Sequence, residues 1–144
     1  MTTVADRSIT AAADAHEAAE AAHDAAAVAA TFAENGVLDP KPTGTTFTGR
    51  EAVTAWYEDL FTAFPDIAPE LIHRHEADQV LVDEVIFRGT HDGVFNGIPA
   101  TGKPVEVAAT LVYEFNGANE IVRESAYWDI ATMLIQMGIL PAPA

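Results

Sequence analysis

The amino-acid sequence predicts an α+β fold in which helices come first and strands follow. Residues 10–32 are dominated by alanine, which has the highest helix propensity of the amino acids. Within residues 49–64, apolar side chains recur at the spacing of an amphipathic helix. After Pro69 the apolar period falls to two, which is typical of half-buried strands. This order indicates a curved, largely antiparallel sheet with helices on one face.

The alanine-rich segment is predicted to contain two helices. It divides at residues 23–24, where Asp24 can act as the N-cap of the second helix. Asn35 and Gly36 are expected to stop that helix, and residues 37–38 to begin a short strand. We therefore expect a helix before this turn and a short strand after it.

The next helix is predicted over residues 49–64. Thr48 and Glu51 have the spacing of a capping box at its start, and Pro65 follows its end. Its apolar residues are expected to pack in the core or at a dimer contact.

Four strands and one helix are predicted after Pro69. Turn residues separate the strands, and Gly138 is expected to end the final helix. The predicted strands cover residues 70–78, 79–91, 103–117 and 120–129. We expect a single domain over residues 1–144 with a flexible N-terminus at residues 1–9.

The charge and the cysteine content restrict the possible functions. There are 22 acidic and 7 basic residues, a formal net charge of −15, so neither nucleic acid nor a membrane surface is an expected partner. The absence of cysteine excludes disulfides, thiolate nucleophiles and cysteine-ligated metals. No basic segment followed by an apolar one opens the chain, which predicts a cytoplasmic protein.

Asp129 lies where the last predicted strand meets the final helix. By strand alternation it shares a face with Arg123, Ser125 and Tyr127. If that face is concave, desolvation raises the pKa of Asp129 and makes it a usable general acid or base. Alternatively, an Asp directly before an apolar helix is a favoured N-cap. The sequence leaves both interpretations open.

Other ionisable residues are weaker candidates. Asp39 can reach a cavity from the end of its short strand, or open an ordinary turn before Pro40. His91 begins a glycine-containing loop, where it can hydrogen-bond a substrate oxygen or be exposed to solvent. His73 and His75 share a strand face, but no third metal ligand is evident nearby. His16 and His23, seven residues apart in the alanine-rich segment, are expected at the surface.

Three blocks of sequence carry a resemblance to a known family. They are "TFAENGVLDP" (31–40), "GTHDGVFNGIPATGKPVEV" (89–107) and "EIVRESAYWDIATMLIQMGILP" (120–141). Together they resemble the SnoaL-like polyketide cyclases of the nuclear transport factor 2-like superfamily, over residues 15–141. The third block is the most specific, because a strand ending in Tyr-Trp-Asp before a helix and Gly-x-Leu-Pro is characteristic of that family.

The resemblance implies a fold and an activity. The fold is a cone-shaped α+β barrel, in which a strongly curved mixed sheet, mostly antiparallel, wraps around N-terminal helices and a deep apolar pocket. The activity is intramolecular aldol ring closure of an apolar, carbonyl-bearing small molecule, without a metal or an organic cofactor. Homodimers are common in the superfamily, so a homodimer is expected.

The resemblance also implies site residues. Asp129 matches the general acid/base of the cyclases, and "GVLDP" is similar to the segment with the general-base Asp of ketosteroid isomerases, which adds Asp39. His91 or Tyr127 is then a candidate donor to an enolate. The side chains expected to contact the substrate are Trp56, Phe61, Phe95, Tyr113 and Tyr127.

Three functions therefore follow from the sequence. The first is a cofactor-independent lyase or isomerase with Asp129 as acid/base. The second is a non-catalytic ligand-binding or dimerisation module, in which Asp129 only caps the last helix. The third is epoxide hydrolysis, for which Arg123 lies on the same strand face as Asp129. The first two differ in whether Asp129 and Asp39 line one closed apolar cavity.

Overall fold

The structure, a computed structural model, describes residues 8–144. The flexibility expected for residues 1–9 concerns mainly residues outside this range. Ser8 and Ile9 belong to the start of a helix, because the Ser8 hydroxyl accepts the Ala11 N–H at 3.2 Å and Ile9 is the first helical residue. The helices are α1 (Ile9–Ala21), α2 (Ala25–Ala30), α3 (Arg50–Ala63) and α4 (Ile130–Gln136), with a short 3-10 helix at Lys41–Thr43.

Within residues 8–144 the strands form one curved mixed sheet of six members. They are β1 (Phe32–Pro40), β2 (Phe47–Thr48), β3 (Ala68–Ala77), β4 (Val80–Thr90), β5 (Pro104–Phe115) and β6 (Ile121–Trp128). Their order across the sheet is β2-β1-β6-β5-β4-β3. Every neighbouring pair is antiparallel except β1 and β6, which run parallel. The predicted α+β class and the four predicted strands are confirmed.

Strand β1 is longer than the sequence suggests, and the predicted helix end at Asn35 and Gly36 is wrong. Both residues lie inside β1, where the pairing with β6 shifts register between Phe32 and Val37. A Cβ atom on Gly36 would stand 2.7 Å from the carbonyl oxygen of Ile121. The glycine therefore allows a close approach of two strands and does not terminate a helix.

Two predicted helix caps have different outcomes. The capping box of Thr48 and Glu51 is wrong, because Thr48 is paired in β2 and the N-cap position of α3 is Gly49, which provides no side-chain bond. The Asp24 cap is confirmed, since its carboxylate accepts the Ala27 N–H at 3.0 Å.

The core lies between the sheet and helices α1, α2 and α3. Buried apolar side chains of both layers form one cluster, with Val28 and Tyr57 on the helical side and Leu111 on the sheet. The packing is incomplete, and a cavity remains between α1, α3 and the inner face of β4, β5 and β6. Within residues 8–144, no helix is long and apolar enough to cross a membrane.

Candidate active site

The inner cavity is small and largely apolar. Its volume is about 60 Å³. Strand β5 supplies aliphatic wall residues, and Met133 of α4 also contributes. Two acidic side chains, Glu20 and Glu124, also line the cavity. The aromatic lining residues are Trp56, Tyr57, Phe64, Phe87, Phe95 and Trp128.

Glu124 is held by two neighbours. Its side chain is on the inner face of β6, and the residue is 2% exposed. The Tyr57 hydroxyl donates to the carboxylate, at 3.1 Å from each oxygen. The His16 Nε2 atom lies 3.0 Å from Glu124 Oε1. This carboxylate is thus buried with both oxygens in contact with hydrogen-bond donors.

His16 connects α1 to this carboxylate. The residue is 1% exposed, and its Nδ1 atom lies 3.0 Å from the Thr31 hydroxyl oxygen. Burial lowers the pKa of His16, but the neighbouring carboxylates of Glu124, Glu20 and Asp83 together raise it above its usual 6.5. The surrounding carboxylates therefore favour the protonated, positively charged form of His16. Its predicted surface position is wrong.

Glu20 is the less constrained acidic group. It is 4% exposed and follows His16 by one helical turn, with Oε2 3.9 Å from His16 Nε2. Its carboxyl makes no hydrogen bond to any residue in the range 8–144. Burial raises the pKa of Glu20 to about 7, and the nearby His16 charge opposes part of this rise. A carboxyl that titrates near neutrality and borders an apolar cavity can accept and return protons.

Asp129 lies outside the inner cavity. The residues of β6 that line the cavity are Glu124, Ala126 and Trp128, so the face of β6 that carries Asp129 is not the concave one. Asp129 is exposed and caps α4, where Oδ1 accepts the Thr132 N–H at 3.0 Å and Oδ2 accepts the Thr132 hydroxyl at 2.6 Å. These bonds lower the pKa of Asp129. Its catalytic role stays a prediction.

A shallow groove on the outer face of the sheet contains Asp129. Tyr127, Trp128 and Ile72 are other residues that line this outer groove. Tyr127 is 49% exposed. The predicted pair of Asp129 and Tyr127 therefore lies together, but on the opposite side of the sheet from Glu20.

Asp39 forms ion pairs with two cationic side chains. Its carboxylate forms ion pairs with Arg123 and with Lys41, the latter at 2.6 Å. The hydrogen bond from Lys41, with that from Arg123, lowers the pKa of Asp39 despite some desolvation. Asp39 is not among the residues that line the inner cavity or the outer groove. The structure therefore does not bring Asp39 and Asp129 into one pocket.

His91 is fully buried, unlike an exposed loop histidine. Its Nδ1 atom accepts the Thr101 N–H at 3.2 Å and lies 2.9 Å from the Thr101 hydroxyl. Its Nε2 atom is buried without a hydrogen-bond partner among residues 8–144. The ring packs beside Phe64, at 5.4 Å between centroids, and Phe64 lines the cavity. His91 therefore packs against Phe64, a residue of the cavity wall, and does not itself line the cavity.

The predicted contact residues are divided among different places. Trp56 and Phe95 line the inner cavity. Phe61 instead stacks on His23 with 4.6 Å between ring centroids. Tyr113 is buried next to His16, 5.2 Å between centroids, without lining the cavity.

Sequence reasoning missed the three ionisable residues that the structure brings together. His16 and Glu20 have the i, i+4 spacing that places two side chains on one helix face. That spacing, in a helix otherwise made mostly of alanine, is the signal that could have found them. Glu124 could have been found by considering the other face of β6.

The helices packed on a curved mixed sheet form a ketosteroid isomerase-like fold. The chain belongs to the SnoaL-like polyketide cyclase family, whose model matches residues 10–137. The family assignment predicted from the three blocks is confirmed. No curated protein sequence matches this chain.

Solved structures with the same fold share little sequence with the chain. A hypothetical protein with a ketosteroid isomerase-like fold from Catenulispora acidiphila, in complex with trimethylamine, is 21% identical, with TM-score 0.78 and coverage of 90% of this chain and 93% of that one. IdmH from Streptomyces antibioticus, a candidate polyketide cyclase, is 22% identical, with TM-score 0.75 and coverage of 90% and 98%. TsrD from Streptomyces laurentii is 18% identical, with TM-score 0.81 and coverage of 96% and 100%. At these identities the likeness concerns the fold alone.

Proposed function

We propose that the protein catalyses intramolecular aldol-type ring closure of an apolar, carbonyl-bearing small molecule by acid/base catalysis, with Glu20 as the proton-transferring group. The supporting observation is a carboxyl in the wall of an apolar cavity, without a hydrogen bond to any residue in 8–144 and with a pKa of about 7. Such a group is ionised often enough to act as a base and basic enough to remove a weakly acidic proton.

The proposed reaction conserves atoms and charge. Ionised Glu20 removes a proton from the carbon next to a substrate carbonyl, which leaves an enolate and a neutral carboxyl. The enolate carbon attacks a second carbonyl of the same molecule, forming a carbon–carbon bond and an alkoxide. The alkoxide then takes the proton from Glu20, so the carboxylate is regenerated and the product is an isomer of the substrate.

Trp128 is the candidate donor for the enolate oxygen. Trp128 lines the cavity, and its buried Nε1–H has no hydrogen-bond partner among residues 8–144. We assign this N–H to the substrate carbonyl, where a donor stabilises the charge that develops on oxygen. The aromatic walls hold the folded substrate so that its two reacting carbons stay close.

The alternative active site is the one predicted from the sequence, at Asp129. In that case Asp129 acts from the outer groove with Tyr127 as the donor, since both line it. Its lowered pKa and its two bonds to Thr132 make Asp129 a weaker base than Glu20. Asp39 and His91 lie apart from Asp129. Neither residue belongs to the inner site at Glu20 or to the outer site at Asp129.

The test measures enolisation without requiring the natural substrate. Wild type is mixed with 2-tetralone, and separately with a methyl β-keto ester, in D₂O, and NMR follows deuterium incorporation next to the carbonyl. We expect Glu20→Gln to lower the exchange rate by roughly 10² or more. Glu17→Gln is the matched control on α1, because Glu17 contacts Arg74 outside the cavity.

The same experiment separates the two centres. Loss of exchange in Asp129→Asn, with exchange retained in Glu20→Gln, would move the reaction to the outer groove. Exchange by wild type no faster than buffer, on all ketones tried, would count against the enolisation proposal itself.

A second candidate function is the binding of small alkylammonium ions without catalysis. The observation that favours it is the combination of the Glu20 carboxyl with an aromatic lining, since aromatic faces and a carboxylate both attract organic cations. The fold relative from Catenulispora acidiphila is in complex with trimethylamine. The net charge of −15 also attracts cations to the protein.

A matched ligand pair tests this second function. Calorimetry compares choline with 3,3-dimethylbutan-1-ol, which has nearly the same shape but no charge. Cation binding requires ionised Glu20, so we expect choline affinity to rise as the pH increases through about 7 and then to level off. Equal affinity for the two ligands, or unchanged choline affinity in Glu20→Gln, would contradict the ammonium proposal.

A further inference from the structure

The hydroxyl of Thr31 determines which His16 nitrogen carries a proton. Thr31 Oγ1 lies 2.6 Å from the carbonyl oxygen of Val28, and a carbonyl can only accept. The single hydroxyl hydrogen is therefore used in that bond. His16 Nδ1, 3.0 Å from Thr31 Oγ1, must then be the donor in the second contact. His16 consequently has a hydrogen on Nδ1.

The other ring nitrogen faces a carboxylate. His16 Nε2 lies 3.0 Å from Glu124 Oε1 and 3.4 Å from the Tyr57 hydroxyl, whose hydrogen points to Glu124. If only Nδ1 were protonated, the Nε2 lone pair would face a carboxylate oxygen without a hydrogen between them. A second proton on His16 removes that repulsion and forms a charge-assisted hydrogen bond.

We propose that Thr31 is a positioning residue that keeps His16 doubly protonated, so that His16 and Tyr57 occupy Glu124 and leave Glu20 as the cavity carboxyl free to exchange protons with a ligand. Thr31 itself does not line the cavity. It acts through His16. This inference rests on the proposed role of Glu20 for its catalytic consequence, but not for the protonation of His16.

The charged and titratable groups around His16 agree with this assignment. On α1 itself, Glu20 is the acidic neighbour of His16, and the elements packed against α1 add further carboxylates and phenols. Thr31 supplies the uncharged oxygen that accepts the His16 Nδ1–H. Opposite charge nearby favours the protonated imidazole, in line with its raised pKa. The groups that face His16 from other elements are Asp83 of β4, Tyr57 of α3, Tyr113 of β5 and Glu124 of β6.

The test replaces the acceptor while keeping the shape. Thr31→Val is nearly isosteric and leaves the His16 Nδ1–H without an acceptor, whereas Thr31→Ser restores the hydroxyl. Thr54→Val is the matched control, because the Thr54 hydroxyl donates to the carbonyl of Arg50 at 2.7 Å, much as Thr31 donates to Val28, and lies away from His16. Nitrogen-15 NMR of the histidine rings reads the protonation of each nitrogen against pH. His23, which contacts the Ile67 carbonyl, is an internal reference.

We expect wild type, Thr31→Ser and Thr54→Val to show His16 with hydrogens on both nitrogens at pH 7. In Thr31→Val we expect the Nδ1 proton to be lost and the His16 titration midpoint to fall by roughly one pH unit or more, with His23 unchanged. Without the His16 charge, Glu20 becomes harder to ionise. The pH profile of ketone exchange should then move upward in Thr31→Val and return in Thr31→Ser.

Two results would overturn the assignment. One is an unprotonated Nδ1 in wild type at pH 7, which can be read even if Thr31→Val does not fold. The other is a folded Thr31→Val in which His16 titrates as in wild type. Absence of ketone exchange in wild type would count against the catalytic proposal alone, because the ring protonation is measured without substrate.

Discussion

His16 and Glu20 lie one turn apart on α1, and the 3.9 Å between His16 Nε2 and Glu20 Oε2 brings a buried imidazole next to a buried carboxyl. His16 Nε2 also lies 3.0 Å from Glu124 Oε1, so one imidazole ring contacts two carboxyl groups. Such an arrangement leaves an excess negative charge in the cavity wall once Glu20 ionises. The ionisation of Glu20 should therefore affect both stability and ligand binding.

Replacing Glu20 should change how stability depends on pH. The pKa of Glu20 rises from 4.5 to about 7 on folding, so between these values the folded state binds more protons, and stability falls as the pH rises. We expect Glu20→Gln to remove this loss, with an advantage over wild type on the order of 3 kcal/mol at pH 8 and little difference at pH 5. Urea unfolding across pH measures it. Glu58→Gln, at an exposed site on α3, is the control, and parallel pH curves for Glu20→Gln and wild type would contradict the prediction.

Replacing Tyr57 should destabilise the buried carboxylate. Tyr57→Phe removes the hydroxyl that donates to Glu124 at 3.1 Å, and we expect a loss of about 1–3 kcal/mol in the free energy of unfolding. Tyr113→Phe removes a hydroxyl that makes no hydrogen bond within residues 8–144, so its cost should be clearly smaller. Denaturant unfolding at pH 7 compares the two variants. Equal losses would mean that the Tyr57 hydroxyl contributes nothing specific.

Asp129 should contribute to stability through its cap. Asp129→Ala removes both bonds to Thr132 and should lower the melting temperature, whereas Asp129→Asn should largely retain it because Asn also caps helices. The pKa of Asp129 is lowered, so its contribution is present above the unfolded value near 3.8 and lost as the pH falls through the folded value. Circular dichroism melting at pH 7 and pH 3 checks both statements. Equal melting temperatures of Asp129→Ala and wild type at pH 7 would argue against the cap.

Gly36 should tolerate no side chain. Its Cβ would stand 2.7 Å from the backbone oxygen of Ile121, which belongs to the paired strand and cannot turn away as a side chain could. We expect Gly36→Ala to cost about 1–3 kcal/mol. Gly117→Ala is the matched control, since a Cβ there meets open space, and its effect should stay within about 0.5 kcal/mol. Comparable losses in guanidinium unfolding would exclude strand crowding as the cause.

The local parts of the fold could be predicted because their signals are local. Period-two alternation located β3 to β6, and Asp24 marked the start of α2. The same local rules misassigned Gly36 and Thr48. Both residues belong to strands whose partners are distant in sequence or extend a sheet edge, and β1 pairs with β6 more than 80 residues away. Nothing within a short window distinguishes such a glycine from one that ends a helix.

The candidate site was likewise predicted only in part from local signals in the sequence. Trp56 and Phe95, which were expected to contact a substrate, line the inner cavity, and the substrate contact itself stays a prediction. Asp129 attracted attention because it follows Tyr-Trp in a family motif, yet the side chains that meet inside the protein are those of His16, Glu20 and Glu124. Their meeting depends on packing α1 against β6, elements separated by most of the chain.

By itself, the sequence determined the α+β class, the four strands after Pro69, the family and the restriction to chemistry without thiolates, because periodicity, composition and motifs are properties of the chain. The tertiary structure alone decided which face of β6 is enclosed. That choice places Glu124 inside and Asp129 at the surface, and it follows from which face the helices cover. Burial next to α1 then gives Glu20 a pKa of about 7, since desolvation depends on atoms contributed by distant segments and cannot be read from the neighbours in sequence.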